Sequence, residues 1–371
     1  MHSDGSHEVA GDVTDNQDNR EEEAPLSVGV VSDDGFASTV ASSIIENLPD
    51  HAMIDGQRRE LRVSGASVPL PPTATGSAPL GQWLAAVRAT DDYDIVLCVS
   101  EVPRRLGSRP VIAELRDGTT GAVYVPSFGT LAVRRRATTA ALAVLHELIE
   151  ADDSSRPPRR YFKSSWIPSD SGEGDEVLVT SSILGRIRLI SGMIRCIRPW
   201  RLVPTLSGAL AAASAASAFG VFYASICQMA ASMSVMRLAM IGVAAVMAMT
   251  VWVIFPNGLW EKRSFRSSTI DRWMYNAATL GTVLTGALCM YALLFAVVLL
   301  SAAVVISPVF LAVQIDRTAT LGDYFSLAWL AASLGTVAGA VGSSVADRED
   351  ILGATYGHRE LIRRQSATPS S

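Results

Sequence analysis

The 42 residues from Met274 to Ile315 carry no Asp, Glu, Lys or Arg, and no other feature restricts the fold of this chain so strongly. A helix of that length in water needs a polar face, whereas about 20 consecutive apolar residues suffice to cross the hydrocarbon of a bilayer. Leu202–Tyr223, Leu238–Phe255 and Tyr324–Val341 are likewise uncharged. Inside the long stretch, YALLFAVVLLSAAVVI offers no polar hairpin, so it predicts one span over residues 276–300 that continues or bends at Ser307-Pro308. Four spans in an all-helical transmembrane region, residues 202–343, result. Gly335 and Gly339 in GTVAG, with Ala338 and Gly342 beside them, form small-xxx-small pairs that allow a close helix approach within the chain or between copies.

Charge placement supplies an orientation. Short loops rich in Lys and Arg stay in the cytoplasm. Residues 177–201 hold Arg186, Arg188, Arg195, Arg198 and Arg201 and no acidic residue, and the loop after the second span holds Lys262, Arg263, Arg266 and Arg272. The intervening loop 224–234 has no positive charge. Four spans therefore put both termini, including the 344–371 tail with Arg348, Arg359, Arg363 and Arg364, in the cytoplasm of a multi-pass cell-membrane protein. Ile183, Ile187, Ile190 and Ile194 recur at helical spacing among the five Arg, which predicts a juxtamembrane helix with a basic face on anionic lipid.

The polar half precedes these segments. Residues 1–24 hold eight Asp or Glu against one Arg and no aromatic residue, so they predict an acidic disordered tail and no signal peptide. Residues 25–151 read as a small three-layer α/β domain with a mixed sheet. LSVGVV is a strand followed by a helix over Phe36–Leu48; Arg59–Val63 is a strand, with loop after it; residues 80–89 are helical. The continuous apolar run IVLCVS predicts the central strand, covered on both faces. Asp117-Gly118 predicts a hairpin between Pro110–Leu115 and Gly121–Val125, Ala132–Ile149 is the last helix, and 152–176 is a linker.

Sheets of this class bind ligands beyond the C-terminal ends of their parallel strands. Those ends supply a candidate crevice: Asp33 and Asp34 after the first strand, Glu101, Arg104 and Arg105 after the central one, and Ser127 and Thr130 after the last. The carboxylates suit hydroxyls, the guanidiniums an anion, and Ser127 or Thr130 a helix N-terminus. Structural roles compete, with Asp34 and Thr130 as helix caps and the Arg residues solvated. Neither GxGxxG nor GxxxxGK[ST] occurs, His146-Glu147 are adjacent helical residues that point apart, and Cys98 belongs to a buried strand. No cofactor, metal ligand set or nucleic-acid partner is expected, and the four Cys form neither a CxxC nor a CxxH.

The segments SVGVVSD, YDIVLCVSEVPRR, GAVYVPSFGTLAVRRR, RLISGMIRCIRPWRLVPTLSGALAAA and DYFSLAWLAASLGTVAGAVGS resemble an uncharacterised family of actinobacterial multi-pass membrane proteins, over nearly everything after residue 24. Some members carry an automatic methylenetetrahydrofolate dehydrogenase label; the VGRSxxVGKP segment and a YxxxK arrangement are absent here. The resemblance implies the same architecture and no catalytic residue. The reading is then a membrane-anchored cytoplasmic binding or regulatory module, with anionic membrane lipids and a homo-oligomer or protein partner as its contacts. The alternatives are an enzyme acting on an anionic or lipid-linked metabolite through Asp33, Glu101 and Arg104, and a transporter component.

Overall fold

In the computed structural model a mixed α/β domain is followed by a region of long apolar helices. The structure describes residues 24–33, 35–54, 57–68, 77–149, 165–169, 175–199, 204, 207–260 and 269–342. The acidic tail, the 344–371 tail, Asp34, Arg201 and the basic loop 261–268 lie outside them.

The sheet contains β1 (Leu26–Ser32), β2 (His51–Ile54), β3 (Gln57–Ser67), β4 (Ile95–Ser100), β5 (Arg105–Leu106), β6 (Arg109–Arg116), β7 (Thr120–Tyr124), β8 (Ser165–Pro168) and β9 (Glu176–Val179). Its order is β2-β3-β1-β4-β7-β6-β9-β8, with β5 paired to β6. β3, β1, β4 and β7 run parallel, and the remaining pairings are antiparallel. All six residues of β4 are buried. Ile95, Leu97 and Val99 enter the core beneath α1 (Phe36–Ile45) and α3 (Val133–Ile149), while Val96 and Cys98 enter the core beneath α2 (Ser77–Asp91). That alternation makes three layers, because successive strand residues point to opposite faces. Asp117 and Gly118 turn the β6–β7 hairpin at φ 49° and 60°, a left-handed backbone that Gly tolerates and Asp tolerates better than most residues.

Several boundaries depart from the sequence reading. His51 begins a strand, the SGAS that opened the expected loop completes β3, and α1 ends at Ile45. The sheet also runs past residue 151. β8 and part of β9 fall inside the expected 152–176 linker, because Trp166, Ile167, Val177 and Val179 lend an apolar flank to the edge beside β6. The basic helix is consequently shorter than 177–201: α4 covers Ser182–Ile197.

The apolar region comprises α5 (Ser207–Phe222), α6 (Ala224–Ser232), α7 (Val235–Ile254), α8 (Thr269–Val305), α9 (Pro308–Ile315) and α10 (Leu321–Gly342). Among the described residues, α7, α8 and α10 are long and apolar enough to cross a membrane, and α5 with α6 makes a fourth span if the pair, bent by 85°, counts as one. α5 alone is about 24 Å long, short of a hydrocarbon core of about 30 Å. α8 continues unbroken for 37 residues and ends at Val305, before Ser307 caps α9 by accepting from the Phe310 N–H at 3.2 Å. α10 packs on α5 through its glycines. A Cβ at Gly339 would lie 2.7 Å from the Ala209 carbonyl oxygen, and one at Gly335 would collide with Ser217. The Gly335–Gly339 face is thus used inside the chain, and Ser217 adds a hydrogen bond to the Ala331 carbonyl at 3.1 Å. Gly342 closes α10.

Candidate functional site

The C-terminal ends of β1 and β4 do converge. Asp33 leaves β1 with its N–H directed at the Val99 carbonyl, 3.4 Å away, and its carboxylate is buried. Oδ2 accepts from the Ser100 hydroxyl at 3.3 Å and from the Glu101 N–H at 3.4 Å. Ser100 Oγ in turn accepts from the Val102 N–H at 3.2 Å. Asp33 therefore fixes the β4 exit loop. The Glu101 side chain then reaches the first turn of α1 and accepts from the Ala37 N–H at 2.8 Å.

Asp34, the expected cap, lies outside the described residues, and the contact to Glu101 serves this end of α1. Gly35 occupies the N-cap position at φ 114° and has no side chain to offer, so the orphan amides of the helix are met by a carboxylate 64 residues away in sequence. Burial raises the Glu101 pKa from 4.5 to about 6, against the lowering effect of the Ala37 and Phe36 amides; Asp33 adds to the rise and Arg198 offsets it.

The other candidates go elsewhere. Arg104 turns to Glu114, with Nε 3.5 Å from Oε2, and Glu114 also binds Arg116 and accepts from the Tyr124 hydroxyl at 2.7 Å. Glu114, Arg116 and Tyr124 are all buried, and Arg116 reaches Gly81 of α2, so this network lies on the opposite face of the sheet from α1. Burial, then the Glu114 charge, pushes the Tyr124 pKa well up and keeps its hydroxyl a donor. Arg105 donates to the Gly107 carbonyl at 3.2 Å. Ser127 is buried in a 3₁₀ turn, Val125–Phe128, and donates to the Val111 carbonyl. Thr130 is exposed, and the α3 ladder starts at the Ala132 carbonyl, which accepts from Arg136 N at 3.0 Å. The expected crevice accordingly contracts to Asp33, Ser100 and Glu101 over the α1 N-terminus.

Sequence reading missed what covers it. The last turn of α4 lies on this end of the domain, with the Arg195 guanidinium carbon 5.2 Å from the Phe36 ring centroid, a cation–π contact. Cys196 packs against the same core, and burial together with the Glu101 carboxylate pushes its thiol pKa well up, so it stays protonated. Arg198 ends α4 in the left-handed region at φ 56°. Upstream, a Cβ at Gly192 would collide with the Pro126 carbonyl, Arg186 donates to the Ser108 carbonyl at 3.2 Å, and Arg188 donates to Thr180 at 3.3 Å. Three of the five arginines expected on the membrane surface thus hold α4 to the domain. A helix with a purely solvated basic face would have left Gly185 and Gly192 without purpose; here both admit close backbone approach.

The other side of α4 meets the apolar region. Leu189 and Met193 bury themselves with Met274 and Ala278 of α8, with Ile190 and Tyr275 at the margin. Ile194 fills the space that a side chain at Gly281 would take. One helix is therefore clamped between the α/β domain and the start of α8.

Comparison with family models, curated proteins and solved structures finds no match to this chain.

Proposed function

We propose that the chain is a membrane-anchored regulatory module: the α/β domain lies on the cytoplasmic side, reads an event at the β1–β4 edge, and passes it through α4 to α8. The observation that carries this reading is the double contact of α4, with Phe36 and the Glu101 environment at one side and with Met274, Ala278 and Gly281 at the other. The polar groups at the edge are engaged in positioning loops and α1, which supports a conformational role over catalysis. The positive charge around residues 186–201 and 262–272 supports the cytoplasmic orientation, both termini included. The order of segments supports placement among the actinobacterial multi-pass membrane proteins the chain resembles.

The event read is the binding of a small molecule that competes with Glu101 for the first amides of α1. Native mass spectrometry of the full-length protein released from detergent, beside Asp33→Ala and Glu101→Ala, tests this. A small molecule carried by wild type and lost from Asp33→Ala is the expected result. A molecule retained by both variants, or lipid alone in all three proteins, counts against the proposal.

A further inference from the structure

Ile183, Ile187, Ile190 and Ile194 occupy one face of α4, spaced three and four apart. The face divides in two. Ile190 and Ile194 are spent on α8, at Tyr275, Met274 and Gly281. Ile183 and Ile187, 73% and 63% exposed, continue the same row largely bare among the described residues, and Leu184 beside them is 75% exposed. Leu131, two residues beyond the Gly129 that packs on Arg188, is 74% exposed. A soluble surface does not leave four large aliphatic side chains this bare without a partner.

The partner follows from where the row leads. Its covered half rests on residues 274–281, the first turns of a 34-residue apolar stretch that is about 51 Å long, against a hydrocarbon core of about 30 Å. Trp273, at the start of that stretch, is 60% exposed, as indoles at the headgroup level are. Ile194 meets Gly281 and Ile190 lies by Met274 and Tyr275, so the free half of the row leads back toward Trp273 and the headgroup level.

The flanks are basic. Arg134 and Arg135 are exposed in the first turn of α3, where cations oppose the helix dipole and α3 itself gains nothing from them. They follow Leu131 by three and four residues, so their charge borders the bare aliphatic side chains. Two exposed guanidiniums beside such a patch suit lipid phosphate.

We infer that the Ile183–Leu184–Ile187 face of α4 lies in the headgroup boundary of an anionic leaflet, with Arg134 and Arg135 on lipid phosphate. The inference rests on the membrane anchoring proposed above but not on the ligand at the β1–β4 edge. Lipid charge would then act directly on the helix that links the domain to α8.

The test uses the full-length protein in nanodiscs, with a fluorescent amino acid incorporated at position 187 or, for comparison, at the exposed Glu60. Nitroxide lipids labelled at the headgroup or shallow in the acyl chain are the quenchers. The expected result is quenching at 187 several-fold above that at 60, greater in phosphatidylglycerol-containing discs than in phosphatidylcholine alone. Arg134→Gln with Arg135→Gln should abolish the difference between lipids and leave the quenching itself. Equal quenching at 187 and 60, or indifference of the wild-type signal at 187 to lipid charge, overturns the inference. Because the readout is lipid proximity, an empty native mass spectrum leaves it standing, and its own failure leaves the ligand proposal standing.

Discussion

Glu101→Gln is expected to stabilise the edge of the α/β domain at neutral pH and to leave it unchanged in mild acid. The glutamine keeps an oxygen for the Ala37 N–H but carries no charge to desolvate. Between pH 4.5 and about 6 the folded protein holds the Glu101 proton more tightly than the unfolded chain does, so this group makes stability fall as pH rises through that window. Above it both states are ionised and the penalty is constant. The gap between 4.5 and about 6 corresponds to about 2 kcal/mol, a factor of roughly thirty in an opening equilibrium. Hydrogen exchange of peptides covering residues 28–44, read as the ratio of variant to wild type at each pH, isolates the effect from intrinsic exchange rates. The ratio of protection should be near one at about pH 4.5 and rise to roughly thirty at about pH 7.5. A variant equally protected at both values, or less protected than wild type at the higher one, would refute the assignment of Glu101 as a buried, ionised helix cap.

Glu114→Ala strands Arg116 and the Tyr124 hydroxyl in the core beneath α2 and should cost about 3–5 kcal/mol, read as a loss of protection across β6 and β7; Tyr124→Phe, which removes one donor, should cost about 1–2 kcal/mol. Gly335→Leu drives a side chain into Ser217 and should lower the thermal stability of the detergent-solubilised protein far more than the same change at Gly208, where nothing crowds a Cβ. Equal effects at the two positions would contradict the α5–α10 packing.

Local chemistry made much of the domain legible. An uninterrupted IVLCVS can only be satisfied between two layers, and Asp-Gly between apolar runs imposes a tight turn; both stand in the structure as read. The uncharged stretch 274–305 likewise forms one helix because no residue in it favours a break before Ser307-Pro308. β8 and β9 escaped notice because each is four residues long and set among Ser, Pro, Gly and Asp, so only the free edge of β6 gives them a place. Of the candidate crevice, Asp33 and Glu101 were legible as residues that follow parallel strands. Arg104 and Ser127 were misplaced because strand ends alone do not tell which face of the sheet a side chain takes, and Glu114 and the Val111 carbonyl claim them. The packing of α4 over this end was hidden in the same way: its arginines advertise a membrane surface, and the glycines beside them, Gly185 and Gly192, are the signal that this helix also packs tightly on something.

The direct test of coupling through α4 is hydrogen exchange of the full-length protein in lipid nanodiscs, wild type against Gly192→Leu, which wedges α4 away from Pro126. Protection should fall together in the Val125–Phe128 turn, in the first turn of α1 and in residues 274–281 of α8. Loss confined to the turn, with residues 274–281 as protected as in wild type, would contradict the account.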